Sequence, residues 1–148
     1  MRTTGLRSPY DKVGGLVFFG RLLDKIRLKA ERRLPAEWET GVAVAADGRC
    51  VRFLHVTYES LEERTLQGGS DDEVLEWCFQ CGRRPNNEEI QIWNAFMTKR
   101  GWRDDASDTL AQAKNGAGLS HRADIQTYFD LFDAAETRES ARASANPL

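Results

Sequence analysis

Apolar residues recur along the chain at intervals of three and four, and the polar punctuation between them predicts a succession of short helices. Over residues 16–34, Leu16, Phe19, Leu22, Leu23, Ile26 and Ala30 fall within one arc when each residue advances about 100°, the pattern of an amphipathic helix. Pro35, with no amide hydrogen, ends it. Ahead of it, Arg7-Ser8-Pro9-Tyr10-Asp11 predicts a short helical turn, with Ser8 as its cap and Pro9 preset for the first helical position, stopped by Gly14-Gly15.

Residues 36–47 lack a clear period. Val42-Ala43-Val44 followed by Asp47-Gly48 fits a minor hairpin near residues 41–54, but Cys50, Phe53 and Leu54 have helical spacing behind Asp47 as a cap, and a helix is the preferred reading. Thr57 opens a further short helix carrying Leu61 and closed by Gly68-Gly69. Ser70-Asp71-Asp72-Glu73 has the form of a capping box, in which hydroxyl and carboxylate each satisfy a backbone N–H, and its helix runs to Cys81 with Gly82 at the stop. Asn86 to Glu89 repeat that logic after Pro85, and Ile90, Trp93 and Met97 form the stripe of a helix ending at Lys99-Arg100-Gly101. Ser107 or Asp108 caps another through Lys114, broken by Asn115-Gly116. The stretch 124–137 carries Ile125, Tyr128, Phe132 and Ala135 on one face. The expectation is an all-α fold: six or seven short helices in a single compact domain over 1–138, with the small and polar residues of 139–148 as a disordered C-terminal tail.

A length of 148 residues, 41 % hydrophobic and 30 % charged, suits one domain with one core. The net charge of -2 conceals an asymmetry: residues 1–35 hold nine basic and three acidic groups, 36–100 seven and twelve, and 101–148 five and eight. Such polarity favours pairing of the N-terminal helix with acidic helices of the same fold. The acidic middle argues against a nucleic-acid partner. No apolar run approaches the roughly 20 residues of a membrane span, and the run 16–19 is too short for a secretory signal, so neither membrane contact nor export is expected. Three cysteines are too few for a disulfide framework, which points to a reduced, cytoplasmic protein.

Candidate chemistry is sparse, and no catalytic, metal or phosphate-binding signature is complete. Arg21, Asp24, Lys25 and Arg32 lie opposite the apolar arc of the first long helix, with Arg27 at its edge. A solvated polar face is the simpler reading. The functional one is a cluster facing a cleft, where a guanidinium beside an ammonium suits carboxylate or phosphate. Arg100 falls inside the apolar arc of its own helix, between Trp93 and Phe96. It either snorkels from the last turn or pairs with a buried acid, for which Glu136, in the arc between Ile125 and Phe129, is the match. Asn94 sits at the edge of the same stripe. Asp130 and Asp133 resemble a metal-binding pair, but the Glu-x-x-His of a di-metal helical site is missing, and a solvated pair is the reading. Cys78-Phe79-Gln80-Cys81 with Cys50 and His55 would supply four zinc ligands, yet both thiols of the motif project into an apolar arc at a helix C-terminus, so no metal and no cofactor are expected. His121 beside Arg122 reads as a surface residue.

Several of these residues carry a family resemblance over nearly the whole chain. Leu6-Arg7-Ser8-Pro9, Arg21-x-x-Asp24-Lys25-x-Arg27, Asp72-Glu73-Val74-Leu75-Glu76-Trp77 in looser form, Trp93-Asn94 ahead of Arg100-Gly101, and Thr127-Tyr128-Phe129-Asp130-Leu131 ahead of Glu136 resemble the bacterial family of domain of unknown function 5069. The resemblance implies a compact helical domain and brings no activity with it. The segment 48–55 departs from the family's Leu-Asp-x-x-Phe-Leu stretch, and Cys78 and Cys81 are not a family feature. Retention of Arg7, Arg21, Asp24, Lys25, Asn94 and Arg100, polar groups that a core does not require, would imply a shared pocket. The functional expectation is therefore a small-molecule site, enzymatic or ligand-binding, for a small anion, where the polar edge of the Arg21 helix meets Trp93, Asn94, Asp133 and Glu136. Arg21 and Lys25 would hold the anion, Asp24 would orient them, and Glu136 is the candidate acid or base. The alternative is a non-catalytic interaction module that docks its basic N-terminal helix on an acidic partner.

Overall fold

Residues 8–11 form a single turn, the Asp11 N–H on the Ser8 carbonyl at 3.0 Å and the Tyr10 N–H on Ser8 Oγ at 3.2 Å, and a hairpin follows it. The computed structural model describes residues 5–36, 38, 40–41 and 43–145, and of residues 137–145 the backbone alone. β1 (Lys12–Val13) pairs antiparallel with β2 (Leu16–Val17), Lys12 opposite Val17 and Val13 opposite Leu16. The two glycines expected to stop a helix make this pairing possible, because Gly14 and Gly15 both take positive φ (56° and 84°), as a two-residue hairpin turn requires. The hairpin of the described chain is thus at 12–17, while the alternative hairpin near 41–54 gives way to the preferred helix; Val42 of that stretch lies outside the described residues.

Seven helices follow among the described residues: α1 (Phe19–Ala30), α2 (Ala45–Leu54), α3 (Tyr58–Leu66), α4 (Asp71–Cys81), α5 (Asn87–Lys99), α6 (Ser107–Gly116) and α7 (Tyr128–Ala145). The fold is all-α as expected, and boundaries differ where a local turn acts before the anticipated breaker. α1 ends ahead of Pro35 because Arg32, at φ 58°, closes a left-handed turn in which the Arg33 N–H reaches the Leu28 carbonyl at 2.8 Å. α2 ends in the same way, with His55 at φ 59° and the Val56 N–H on the Val51 carbonyl at 3.1 Å. Asp47 lies inside the first turn of α2 and does not cap it. Thr57 caps α3, and both expected capping boxes form, Ser70 with Glu73 on α4 and Asn86 with Glu89 on α5. α7 begins later than Asp124, at a point where Thr127 Oγ1 accepts the Asp130 N–H at 3.1 Å. Of the segment expected as a tail, residues 146–148 lie outside the described residues.

α1 is the axis of the core. Phe19, Leu22, Leu23 and Ile26 are at most 1 % exposed and pack with Cys50, Val51 and Leu54 of α2, Leu61 of α3, Val74 and Cys78 of α4, Trp93 and Met97 of α5 and Phe129 of α7. A smaller apolar cluster, Leu110, Leu119, Ile125 and Leu131, seats α6 against the start of α7. No helix among the described residues is long and apolar enough to cross a membrane.

Candidate functional site

Because α1 is surrounded, its polar face is buried as well. Arg21 is 1 % and Lys25 5 % exposed, so the solvated face that the helical wheel suggested does not exist at these two positions. Removing a charge from water costs several kcal/mol unless a counter-charge meets it, and each cation here has one. The Arg21 guanidinium pairs through Nη1 with Glu136 Oε1 on α7 and donates to the Arg7 carbonyl at 2.9 Å. Its Cζ also lies 4.7 Å from the ring centroid of Trp38 and 5.4 Å from that of Phe132. Lys25 Nζ donates to both oxygens of Asp47, at 2.9 and 3.0 Å, and the same carboxylate accepts the Gly41 N–H at 3.1 Å.

Glu136 thus finds Arg21 and not Arg100. Arg100, at the end of α5, snorkels outward to Asp105 at 2.5 Å and Asp104 at 3.8 Å, the first of the two alternatives open to it. Asp24 orients neither Arg21 nor Lys25. Its carboxylate takes Arg7 Nε and Nη2, each at 3.0 Å, together with the Arg7 backbone N–H at 2.8 Å. Arg7 also reaches Asp71 on α4 at 2.6 Å, which Arg27 meets from α1 at 2.8 Å. The hydrogen bond to Asp24 heads the causes that raise the Arg7 pKa, against the opposing effect of burial. Burial acts to raise the Asp71 carboxyl, but the hydrogen bonds and charges of Arg7 and Arg27 outweigh it and hold the pKa below its usual value.

Trp93 and Asn94 serve the hairpin. Trp93 Nε1 donates to the Val17 carbonyl at 3.1 Å, while Asn94 accepts the Val17 N–H at 3.0 Å and donates to the Gly15 carbonyl at 2.8 Å. Asp130 and Asp133 are not a solvated pair. Asp133 accepts from Ser8 Oγ at 2.9 Å and Asp130 from the Tyr10 hydroxyl at 2.6 Å, tying the N-terminal segment to α7. Burial, followed by the bond to Asp130, pushes Tyr10 up to about 12. Cys50 and Cys78 are buried and Cys81 and His55 exposed, and no cluster of three or more His, Cys, Asp or Glu side chains among the described residues could hold a metal ion.

Of the nine residues singled out in the sequence, the structure brings Arg21 and Lys25 to a common cavity. It has a volume of about 270 Å³ and is lined by these two with Phe18, Trp38, Val44, Ala46 and Phe132. Val44, Ala46 and Phe132 also form one wall of a second cavity of about 250 Å³, onto which Arg49, Met97, Arg100 and Phe129 face. Trp38 and Arg49 escaped sequence reasoning. Trp38 falls in an aperiodic stretch, and Arg49 has no neighbour in sequence that marks it as different from any polar helix position.

Taken together, these features define a small all-α domain whose N-terminal helix turns its charges inward onto acidic partners of the same chain. The chain belongs to the family described as domain of unknown function (DUF5069), whose model matches residues 3–138. None of the curated proteins matches it.

Proposed function

We propose that the protein binds a small anionic metabolite in the cavity bounded by α1, α2 and α7. One observation carries this reading: Arg21 and Lys25, one turn apart on α1, both line the same partly open cavity, whereas their counter-ions Glu136 and Asp47 are fully buried and take no part in its lining. The charged side chains on the cavity wall are therefore the two cations, each held from behind by a buried carboxylate. A guanidinium and an ammonium recognise carboxylate or phosphate oxygens, and the rings of Phe18, Trp38 and Phe132 favour a flat or apolar remainder. Trp38 adds a buried Nε1 donor that has no hydrogen-bond partner among the described residues. At about 270 Å³ the cavity falls just short of the roughly 300 Å³ at which ordinary ligand pockets begin, so the ligand is small.

Glu136 is committed to Arg21 and does not face the cavity, which supports binding over proton transfer by this residue. The inward direction of Arg21 and Lys25, and the pairing of Arg27 with Asp71, equally favour a ligand over an acidic partner docked on α1.

The test is a thermal-shift and calorimetric screen with succinate, malonate, benzoate, phenyl phosphate and inorganic phosphate at constant ionic strength. It compares the wild type with the double variant Lys25→Met/Asp47→Asn. That variant removes the ammonium without leaving a charge buried alone. A rise in Tm with at least one anion, lost in the double variant, is expected. A wild type indifferent to the whole panel, or a variant that responds as well, overturns the reading.

A further inference from the structure

The second cavity has a different chemistry. Its walls are carbon from Val44, Ala46, Met97, Phe129 and Phe132, and no carboxylate lines it. Two guanidinium groups stand at it. The Cζ atoms of Arg49 and Arg100 lie 5.1 and 5.4 Å from the centroid of the same ring, Phe96, and the charge of Arg100 acts on Arg49. Asp105 and Asp104 answer Arg100, but Arg49 makes no hydrogen bond or ion pair among the described residues. Burial first, then the neighbouring charges of Arg100 and Arg52, lower the Arg49 pKa, and the nearby charge of Asp105 offsets them only in part.

We propose that this cavity is a separate binding site for a monocarboxylate with an apolar body, its head group on Arg49 and Arg100 and its chain or ring against Met97, Phe129 and Phe132. With Asp105 already beside Arg100 and only Arg49 lacking an ion-pair partner among the described residues, the site calls for one further negative charge, which favours a carboxylate over a doubly charged phosphate. The volume of about 250 Å³ suits a medium-length acyl chain or a phenyl ring. A guanidinium partly buried beside an aromatic ring binds a carboxylate more strongly than the same pair in water.

Calorimetric titration of the full chain with octanoate and with 3-phenylpropanoate tests the site, with octan-1-ol as the uncharged control. Saturable binding of both acids is expected. Arg49→Gln, which removes the stacking on Phe96 but no hydrogen bond or ion pair among the described residues, should weaken it about tenfold or more, as loss of a charge-assisted hydrogen bond does. The Lys25→Met/Asp47→Asn protein should bind octanoate as the wild type does. Equal octanoate affinity in the Arg49→Gln protein, equal affinity for octan-1-ol, or no saturation overturns the proposal. Loss of octanoate binding in the Lys25/Asp47 variant alone would assign the acid to the cavity on α1, overturning this site while upholding the first.

Discussion

Arg21 and Glu136 stand 115 positions apart and meet as an ion pair in which neither side chain is more than 2 % exposed. The pair joins the middle of α1 to α7, and through the Arg7 carbonyl it also fixes the segment that leads into the hairpin. Its geometry explains why two charged residues occupy positions that spacing alone assigns to solvent or to apolar side chains.

Breaking this pair on one side leaves a buried charge unanswered. Arg21→Met and Glu136→Gln should each lower unfolding stability by about 3–5 kcal/mol in urea titrations. The double variant Arg21→Met/Glu136→Leu should lose much less than the sum. Strictly additive losses would show that the two groups do not interact.

Asn94 accepts the Val17 N–H of β2, as a neighbouring strand would, and donates to the Gly15 carbonyl of the turn. Asn94→Ala should cost about 1–3 kcal/mol, the penalty for leaving the backbone N–H of buried Val17 without its partner, and leave anion binding unchanged. An altered response to the anion panel, with stability intact, would instead place Asn94 in a site.

The three thiols should separate cleanly by reactivity. Burial pushes Cys78 up to about 12 and Cys50 well above its usual value, whereas Cys81 is exposed at the end of α4. At about pH 8 a thiol reagent should modify Cys81 quickly and the other two only after unfolding. Rapid labelling of two or three thiols in the native protein contradicts the packing around α2 and α4.

The pH dependence follows from Asp71 and Tyr10. Asp71 has a folded pKa held below its ordinary value, so its contribution is complete above the ordinary carboxylate range of about 4 and is lost as pH falls through the folded pKa. Asp71→Asn should reduce stability at neutral pH and flatten the acid limb below about pH 4. Tyr10 has a folded pKa raised to about 12, so its contribution is complete below about 10 and is lost as pH rises through the folded value. Tyr10→Phe should flatten the alkaline limb. Unchanged limbs in unfolding curves across pH would assign the titration to other groups.

Helix starts were legible where the determining contacts are local. Ser70 with Glu73 and Asn86 with Glu89 satisfy backbone donors within three residues, so the sequence contains both partners of each bond. Gly14-Gly15 was legible as an interruption but not as a hairpin turn, because its outcome depends on α5 offering Asn94 and Trp93 to β2. The charge asymmetry foretold that a basic first helix would pair with acidic elements, and Lys25 with Asp47, Arg27 with Asp71 and Arg21 with Glu136 do so.

By itself, then, the order of residues determined the helical class, most capping signals and the sign of the charges that meet. Which cation meets which anion, and that Arg21 and Lys25 face one cavity while Arg49 and Arg100 face another, was decided only by tertiary packing. A helical period places a side chain on a face; whether that face sees water or another helix depends on contacts between segments many tens of residues apart, and no local spacing encodes them.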